Sequence, residues 1–362
     1  MKAPKELIRQ LPDLDALAEQ LEREARATIS RAFPAEDRGL RERAIVGFGD
    51  AADVVELPEI ETTLDTTRER WVEAGTRAIN RIRTEGEEAD LDPEEAIGLE
   101  AIVLIEGRPA ILIQDGRFFP PPIKWQILEE VRDNIEKAFQ SVGRIELTGH
   151  PSYEWIGTGF LVAEDVIMTN RHVAKIFCHV EEYGQWAFEP EMTARIDYVE
   201  EFGAVNSAEF AITDVIGVHD TLDLALFRVE RKSSRGLPSP EPLTVAFEAP
   251  STEPGGQVYT VGYPAWDGRR NDPPIMRKIF SNIFDVKRLQ PGEIMEFLER
   301  KRAFKHDCST LGGNSGSCVI DLETNLVTGL HFGGRYLKGN YAVALWQLTG
   351  DPLLKKAKVN FG

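Results

Sequence analysis

The second half of the chain alternates short apolar, β-prone runs with turns that contain glycine or proline. This pattern begins at Gly143 and continues to the C-terminus. The runs are Arg144–Leu147, Gly159–Ala163, Val166–Thr169, Asp214–Val218, Leu222–Val229, Gln257–Val261, Ser317–Asp321, Leu326–His331 and Tyr341–Leu345. Many short strands with turn signals between them are typical of an all-β barrel or sandwich. We therefore predict a β-rich domain over residues 143–362.

The residues before that domain carry helical patterns. In residues 4–32, leucines recur at three- and four-residue steps among charged residues, which predicts an amphipathic helix. A second amphipathic helix is predicted from Leu64 to Ile82, and the polar, acidic stretch Arg83–Pro93 is predicted to be a linker. Residues 1–90 are therefore expected to form a helical N-terminal region.

Residues 91–142 are expected to lead into the β-rich domain. The runs Ala101–Glu106 and Ala110–Gln114 are separated by Gly107-Arg108-Pro109, which indicates a hairpin. Three consecutive prolines at positions 120–122 forbid regular structure and predict a spacer. A helix is predicted from Trp125 to Phe139. With its helical N-terminal region, the whole chain is expected to be of the α+β class.

The charge balance excludes some classes of partner. The chain has 362 residues, 42 Lys+Arg against 60 Asp+Glu, and a formal net charge of −18. Nucleic-acid binding needs basic residues that displace counterions from phosphates, and no basic run is present, so we predict no nucleic-acid partner. The longest apolar runs are far shorter than the roughly 20 residues of a membrane-spanning helix, so we predict no membrane partner.

Cysteine use points to a reducing compartment. The three cysteines, Cys178, Cys308 and Cys318, are an odd and low count, which is not a disulfide framework. Cys178-His179 has no second pair at ligand spacing, so no metal site is predicted, and no cofactor either. The first 20 residues lack the continuous apolar segment of a secretion signal. We expect a cytoplasmic protein.

The strongest chemical signal is the run from Leu311 to Ser317, which reads LGGNSGS. A serine with glycines close on both sides suits a tight turn whose backbone N–H groups converge on one point, as an oxyanion site requires. Ser315 would be the nucleophile. The amides of Gly313 and Ser315 would hold the oxyanion, with Asn314 between them in the same turn.

A serine nucleophile needs a base, and His172 is the strongest of six histidines. It follows two predicted strands joined by a turn at Glu164-Asp165, and a rigid hairpin positions such a residue well. The base in turn needs a buried carboxylate that sets its tautomer. Asp223 interrupts the apolar run Leu222–Phe227 and is our choice over Asp214 and Asp220, which lie in more polar surroundings.

These motifs, in the order His–Asp–Ser, resemble those of the chymotrypsin-like serine peptidases. The matching segments are GTGFLVAEDVIMTNRHVA, DLALFRV and GGNSGS, and they are most similar to the bacterial branch that includes the glutamyl endopeptidases. The resemblance covers residues 144–348. It implies two six-stranded antiparallel β-barrels with a triad of His172, Asp223 and Ser315 in the cleft between them.

The resemblance also implies where the side chain before the scissile bond is bound. The matching positions are Thr310 and the segment Gly329–Gly334, which includes His331 and Gly333. A hydroxyl and an imidazole can both donate hydrogen bonds to a substrate carboxylate, which favours cleavage after Glu or Asp. A structural histidine under a small neutral pocket is the alternative. The net charge of −18 also disfavours an acidic substrate.

The chain departs from the family at several positions. Asn314 stands where many animal members have an aspartate that pairs with a freed N-terminal amine, so activation by N-terminal cleavage is not indicated. Cys318 replaces a common proline, and a Cys308–Cys318 bridge is not expected in a reducing compartment. The acidic segment between His172 and Asp223 is expected to contain a solvated surface loop; its carboxylates are Glu181, Glu182, Glu189, Glu191, Glu200 and Glu201.

The sequence therefore predicts a serine endopeptidase that acts on a protein or peptide substrate. Residues 1–142 could dock a regulatory protein partner, cover the cleft, or only stabilise the fold. Two alternatives stay open, a catalytically latent peptide-binding module and a self-processing regulator in a bacterial stress or defence pathway. Labelling of Ser315 by a fluorophosphonate separates an active peptidase from a binding module.

Overall fold

The computed structural model describes residues 74–86, 89–92, 95, 99, 107–250, 255–266, 276, 279–335 and 339–362. The chain divides into two compact units. The first comprises residues 1–109, 121–127 and 271–283, and the second comprises residues 110–120, 128–270 and 284–362. The second unit thus includes residues 110–120 and 128–142, which the sequence analysis assigns to the segment before the β-rich domain.

In the first unit, residues 74–85 form helix α1. Its buried face carries Ala74, Ala78 and Ile82, which recur at four-residue steps as an amphipathic helix requires. This helix covers the C-terminal part of the predicted helix Leu64–Ile82 and continues three residues beyond it. The predicted helix over residues 4–32 lies outside the described residues.

The second unit contains all the strands that the structure describes. They are β1 (Ile111–Gln114), β2 (Arg117–Phe118), β3 (Val142–Thr148), β4 (Trp155–Ala163), β5 (Val166–Thr169), β6 (Cys178–Val180), β7 (Trp186–Phe188), β8 (Thr193–Asp197), β9 (Glu209–Val218), β10 (Ala225–Val229), β11 (Gln257–Gly262), β12 (Arg288–Leu298), β13 (Ala303–His306), β14 (Cys318–Asp321), β15 (Val327–Arg335) and β16 (Gly339–Ala344). Its helices are short. They are α2 (Ile127–Glu130), α3 (Arg132–Phe139), α4 (Arg171–Ala174) and α5 (Pro352–Lys356), and the first residue of α2, Ile127, is assigned to the first unit.

The first barrel closes in the order β10-β5-β4-β3-β8-β9, with every pair antiparallel. Its interior is filled by apolar side chains such as Ile145, Leu161 and Ile196, which are fully buried. Phe177 and Phe227 stack with their ring centroids 5.2 Å apart and extend this core. The β5–β10 pair sets Ala225 opposite Thr169, so the start of β10 lies beside the end of β5.

The second barrel has the order β11-β14-β15-β16-β13-β12 and closes by pairing of β11 with β12. Its core includes Val258, Phe304 and Val319. The hairpin of β1 and β2 extends the sheet, since Ile111 pairs with Leu289 on β12. Two six-stranded antiparallel barrels confirm the predicted chymotrypsin-like fold.

Several strands lie where the sequence pattern indicated none, namely β2, β6, β7, β8, β12 and β13. In β12, Pro291 and Gly292 weaken the sequence signal because proline cannot donate to a ladder. The strand tolerates Pro291 because β1 pairs with β12 only at Arg288 and Leu289, and β13 pairs with it only from Ile294 onward. The proline therefore falls in the gap between these two pairings.

Two predictions about the segment before the barrel are modified. β1 forms its hairpin with β2 through a turn at Asp115 and Gly116, both at positive φ; the other predicted partner of that strand, Ala101–Glu106, lies outside the described residues. The predicted helix Trp125–Phe139 is split into α2 and α3 at Val131.

The expected acidic surface loop between His172 and Asp223 is partly wrong. Glu181 and Glu182 lie at the exposed turn between β6 and β7, as expected. Glu201, however, is only 8 % exposed, because its carboxylate accepts a hydrogen bond from the Gly116 amide at 2.7 Å and pairs with the buried Lys287 at 3.5 Å. This carboxylate therefore packs against Lys287 and the β1–β2 turn instead of facing solvent.

Among the described residues, no helix combines the length and the apolar character needed to cross a membrane.

Candidate active site

Ser315 lies at the end of a 3-10 turn, Gly312–Asn314, that precedes β14. Gly316 follows it with φ of 91°, a conformation that side chains disfavour. A Cβ atom on Gly316 would also overlap the carbonyl oxygen of Thr158. The glycine after Ser315 is therefore required by both conformation and space, and it turns the chain sharply into β14.

His172 lies on α4, directly after β5, and its imidazole meets the carboxylate of Asp223. The Nδ1 atom is 2.6 Å from Asp223 Oδ2, and the backbone amide of His172 donates to Oδ1 at 2.9 Å. Asn170 Nδ2 donates to the carbonyl of Asp223 at 3.0 Å, which ties this loop to the end of β5. Both carboxylate oxygens therefore face His172, and the imidazole orientation is fixed.

The environment keeps Asp223 ionised. Burial by itself would raise the pKa of this carboxyl, but the hydrogen bonds and charge of His172, together with the charge of Arg171, hold the pKa below its usual value. An ionised carboxylate accepts the Nδ1–H bond, so the lone pair of a neutral His172 is on Nε2. That is the tautomer a general base needs. Neither alternative carboxylate makes this contact: Asp214 and Asp220 are exposed.

Strand β4 brings the turn of Ser315 and the helix of His172 together. A Cβ atom on Gly157 would lie 2.9 Å from the carbonyl oxygen of Ser315 and 3.2 Å from Cγ2 of Val173, the residue after His172. The next residue, Thr158, donates its backbone amide to the same Ser315 carbonyl at 2.8 Å. Residues separated by more than 140 positions in the sequence therefore meet across one glycine of β4.

The amides predicted to hold an oxyanion are arranged in a closed turn. The Ser315 amide donates to the carbonyl of Gly312 at 3.3 Å, and the Asn314 amide donates to the carbonyl of Leu311 at 3.0 Å. The Asn314 side chain is fully buried, and neither its Oδ1 nor its Nδ2 has a hydrogen-bond partner in the described part of the chain. The turn thus places Gly313, Asn314 and Ser315 together, with the Ser315 amide engaged internally.

His331 lies on β15 and contacts a second histidine that the sequence analysis missed. His306 Nε2 on β13 is 3.2 Å from His331 Nδ1, and the two residues are 0 % and 2 % exposed. Burial, together with the neighbouring imidazole, holds the pKa of His306 well below its usual value. Burial and the charge of His172 lower the pKa of His331 to about 3. Both rings are therefore neutral at physiological pH.

The neutral pair has a preferred proton arrangement. Among the residues that the structure describes, none partners the buried His306 Nδ1, and a buried N–H without a partner is rarer in proteins than an unsatisfied acceptor. The proton of His306 is therefore on Nε2 and is donated to His331 Nδ1. This leaves the proton of His331 on Nε2, as a donor. The sequence signal for His306 is a polar residue at the end of the segment Ala303–His306. The sequence analysis does not identify this segment as a strand and therefore misses the residue.

The other residues predicted to bind substrate, Thr310 and Gly333, lie on neighbouring segments. Thr310 is half-buried between β13 and the turn of Ser315, and Gly333 pairs with Tyr341 of β16. Asn340 of β16 connects these segments because its Nδ2 donates to the carbonyl of Cys308 at 2.5 Å. A Cβ on Gly334 would overlap Asn340 Oδ1, so β15 approaches β16 closely here.

The cysteines form no reactive site or bridge. All three cysteines are buried and none forms a disulfide, so no Cys308–Cys318 bridge is present. Burial raises the pKa of Cys178 and of Cys318 to about 12, so both are thiols at neutral pH.

One described group of carboxylates is close enough to hold a cation, namely Glu146, Asp197 and Glu200. Glu146 is already paired with Arg144 at 2.6 Å and with Arg195 at 2.7 Å. Guanidinium groups therefore supply the positive charge there.

Comparison with known proteins agrees with this architecture. Residues 157–330 match the model of the trypsin-like peptidase domain. A probable serine protease of Lysobacter enzymogenes is 31 % identical over 91 % of this chain and 94 % of its own length. The glutamyl endopeptidase of Staphylococcus aureus is 28 % identical over 57 % of this chain and 54 % of its own length.

Solved structures of proteases show similarity over part of the chain. The active form of the Rv3671c protease from M. tuberculosis is 18 % identical, with a TM-score of 0.43, and the match covers 64 % of this chain and 87 % of that one. The serine endoprotease from Yersinia pestis is 14 % identical, with a TM-score of 0.41, over 62 % of this chain and 65 % of its own.

Proposed function

Because the chain belongs to the trypsin-like serine peptidases, we propose that it is an endopeptidase whose triad is Ser315, His172 and Asp223. The observation that carries this assignment is the double contact between Asp223 and His172, at 2.6 Å to the imidazole and 2.9 Å to the backbone amide. It holds the imidazole in the tautomer that a general base needs. The helix of His172 and the turn of Ser315 both contact β4.

In this mechanism, His172 Nε2 removes the proton of Ser315 Oγ as Oγ attacks the peptide carbonyl. The imidazolium that forms is stabilised by the ionised Asp223. It then gives its proton to the leaving amine, which departs and leaves an acyl-enzyme on Ser315. Water deprotonated by His172 hydrolyses the ester and restores the serine.

The oxyanion of the tetrahedral intermediate requires two free donors, the amides of Gly313 and Ser315. The Ser315 amide donates to the Gly312 carbonyl at 3.3 Å, which is a long and therefore weak hydrogen bond. Rotation of the Gly312–Gly313 peptide group removes this carbonyl from the oxyanion position and turns the Gly313 amide toward it. The turn is thus in a resting state, in which the Ser315 amide is bound to the Gly312 carbonyl and substrate has yet to displace it. The same hydrogen bond favours the alternative of a catalytically latent protein.

We propose that the residue before the scissile bond is Glu or Asp, bound by Thr310 and His331, with Gly333 in the adjoining strand. A neutral His331 with its proton on Nε2 is a hydrogen-bond donor, and His306 holds it in that tautomer. The similarity to glutamyl endopeptidases supports the same preference. The net charge of −18 opposes it, because the long-range field repels acidic peptides.

Cleavage of a peptide library tests both parts of the proposal. Wild-type protein is compared with Ser315→Ala, and the products are identified by mass spectrometry. Cuts after Glu or Asp that disappear in the variant support the triad and the pocket. Cuts after another residue would retain the nucleophile and refute the roles of Thr310 and His331. Cuts that persist in the variant would refute the role of Ser315 as the nucleophile.

We also propose that the N-terminal region docks a regulatory protein or covers the cleft. Because the second unit begins at Ala110, the test is a deletion of residues 1–109, which leaves the β1–β2 hairpin on its barrel. Higher activity of the shortened chain supports a covering role, and unchanged activity with retained folding contradicts it. That none of the three cysteines forms a disulfide supports a cytoplasmic location, which cell fractionation tests.

A further inference from the structure

Thr158, on β4, is fully buried and contacts the turn of the nucleophile twice. Its hydroxyl donates to the carbonyl of Gly313 at 2.9 Å, and its backbone amide donates to the carbonyl of Ser315 at 2.8 Å. The turn from Gly312 to Ser315 belongs to the second barrel and has four backbone carbonyls. Thr158, a residue of the first barrel, donates hydrogen bonds to two of them.

The direction of the hydroxyl bond is fixed by a third contact. The Tyr263 amide lies 3.2 Å from Thr158 Oγ1, and a backbone amide can only donate. The hydroxyl oxygen accepts that bond, so its single proton is left for the Gly313 carbonyl, which can only accept. The carbonyl of Thr158 itself accepts from Thr169 Oγ1 at 2.8 Å, which ties Thr158 to the strand that leads to His172.

These contacts immobilise the turn on the C-terminal side of the Gly312–Gly313 peptide group, and on its N-terminal side the Leu311 carbonyl accepts from the Asn314 amide at 3.0 Å. A fixed Gly313 carbonyl fixes the peptide between Gly313 and Asn314, and a fixed Ser315 carbonyl fixes the peptide after Ser315. Within the described residues, the Gly312 carbonyl has only the Ser315 amide as its partner. The Gly312–Gly313 peptide can therefore rotate while its neighbours stay in place.

We propose that Thr158 is a positioning residue of the oxyanion site, whose hydroxyl holds Gly313 while the Gly312–Gly313 peptide rotates to expose the two amides. The inference rests on the proposed role of Ser315. Without the hydroxyl, the Gly313 carbonyl loses its anchor, and the two amides no longer reach the oxyanion together.

Thr158→Val removes the hydroxyl and retains the shape of the side chain, and Thr158→Ser retains the hydroxyl. For Thr158→Val we expect kcat to fall about 10- to 100-fold with KM changed less than about 3-fold, because a misplaced donor weakens the transition state and not substrate binding. Thr158→Ser should keep kcat within about 3-fold of wild type.

Thr328→Val is the matched control. Thr328 is a buried threonine of β15 whose hydroxyl donates to a backbone carbonyl, that of Val319, at 3.2 Å. This variant loses the same kind of bond away from the turn, so its kcat should stay within about 3-fold of wild type. Rates are divided by the concentration of folded protein, which far-UV circular dichroism and thermal unfolding measure.

The outcomes separate this inference from the proposed function. If Ser315→Ala is inactive while Thr158→Val keeps the wild-type kcat, the inference fails and the proposed function stands. If Thr328→Val loses as much as Thr158→Val, the effect is general destabilisation and the inference also fails. If Ser315→Ala is active, the proposed function fails. Should Thr158→Val not fold, Thr158→Cys, with its weak S–H donor, must show the fall in kcat and leave KM unchanged.

Discussion

The contact between Asp223 and His172 permits a quantitative prediction for Asp223→Asn. The asparagine oxygen can still accept the His172 backbone amide, which Oδ1 does at 2.9 Å. Its NH2 group then occupies the place of Oδ2, 2.6 Å from Nδ1. A donor at that place stabilises the tautomer with the proton on Nε2, and such an imidazole cannot accept the proton of Ser315.

The magnitude follows from two losses. The carboxylate and the imidazolium formed in the transition state attract each other by about 4 kcal/mol at a charge separation of about 4 Å and an effective dielectric constant of about 20. A charge-assisted hydrogen bond contributes about 1.5 kcal/mol more. At 1.36 kcal/mol for each factor of ten, a loss of about 5.5 kcal/mol lowers kcat by about 10⁴-fold.

The assay measures kcat and KM of Asp223→Asn at pH 7 with the peptide substrate that the library identifies. Asp214→Asn and Asp220→Asn are controls, because both carboxylates are exposed and neighbour the same segment. They should retain kcat within about 3-fold of wild type.

A kcat for Asp223→Asn within about tenfold of wild type would refute the reasoning, since no wrong tautomer could then dominate. A control that loses as much activity as Asp223→Asn would refute the choice of carboxylate. Thermal unfolding of each variant excludes loss of folded protein as the cause.

Two further predictions concern stability and thiols. Burial raises the pKa of Asp285 to about 6 from an ordinary value of 3.8, and a raised carboxyl pKa removes stability as pH rises through that interval. Asp285→Asn should therefore stabilise the protein by about 2–3 kcal/mol at pH 7.5 and by almost nothing at pH 3.5, as urea unfolding at several pH values would measure; an equal effect at both pH values contradicts it. All three cysteines are buried and none forms a disulfide, so a thiol reagent should modify none of them in the native protein and all three in urea; one modified native thiol contradicts the burial.

Strands whose own sequence carries an apolar pattern were predictable, and strands whose sequence lacks such a pattern were not. The apolar run Val166–Thr169 is buried at every position, so its pattern shows directly in the sequence and β5 has the predicted bounds. β12 contains Pro291 and begins with the buried Arg288, two features that argue against a central strand. Pro291 is tolerated because of where β1 and β13 pair with β12, and Arg288 because its Nη1 donates to the Ala110 carbonyl at 2.8 Å; both are properties of the folded sheet.

The candidate site divides in the same way. The glycines around Ser315 are needed by the local backbone, and Asp223 is an isolated charge in an apolar run, so both positions were recognisable from neighbouring residues alone. His306 and Thr158 have no such signal. Their partners, His331 and Gly313, are 25 and 155 positions away, and only strand register brings them into contact.

The sequence by itself determined the β-rich class, the order of the three motifs and the residue types of the site, because turns and buried strands depend on side chains close in the chain. Only the tertiary structure decided that the Ser315 amide is engaged by Gly312, that Thr158 anchors the same turn, and that His306 sets the proton of His331. These features depend on distances between segments that are remote in sequence. Such distances are set by the closure of each barrel and the packing of its core, which no local pattern contains.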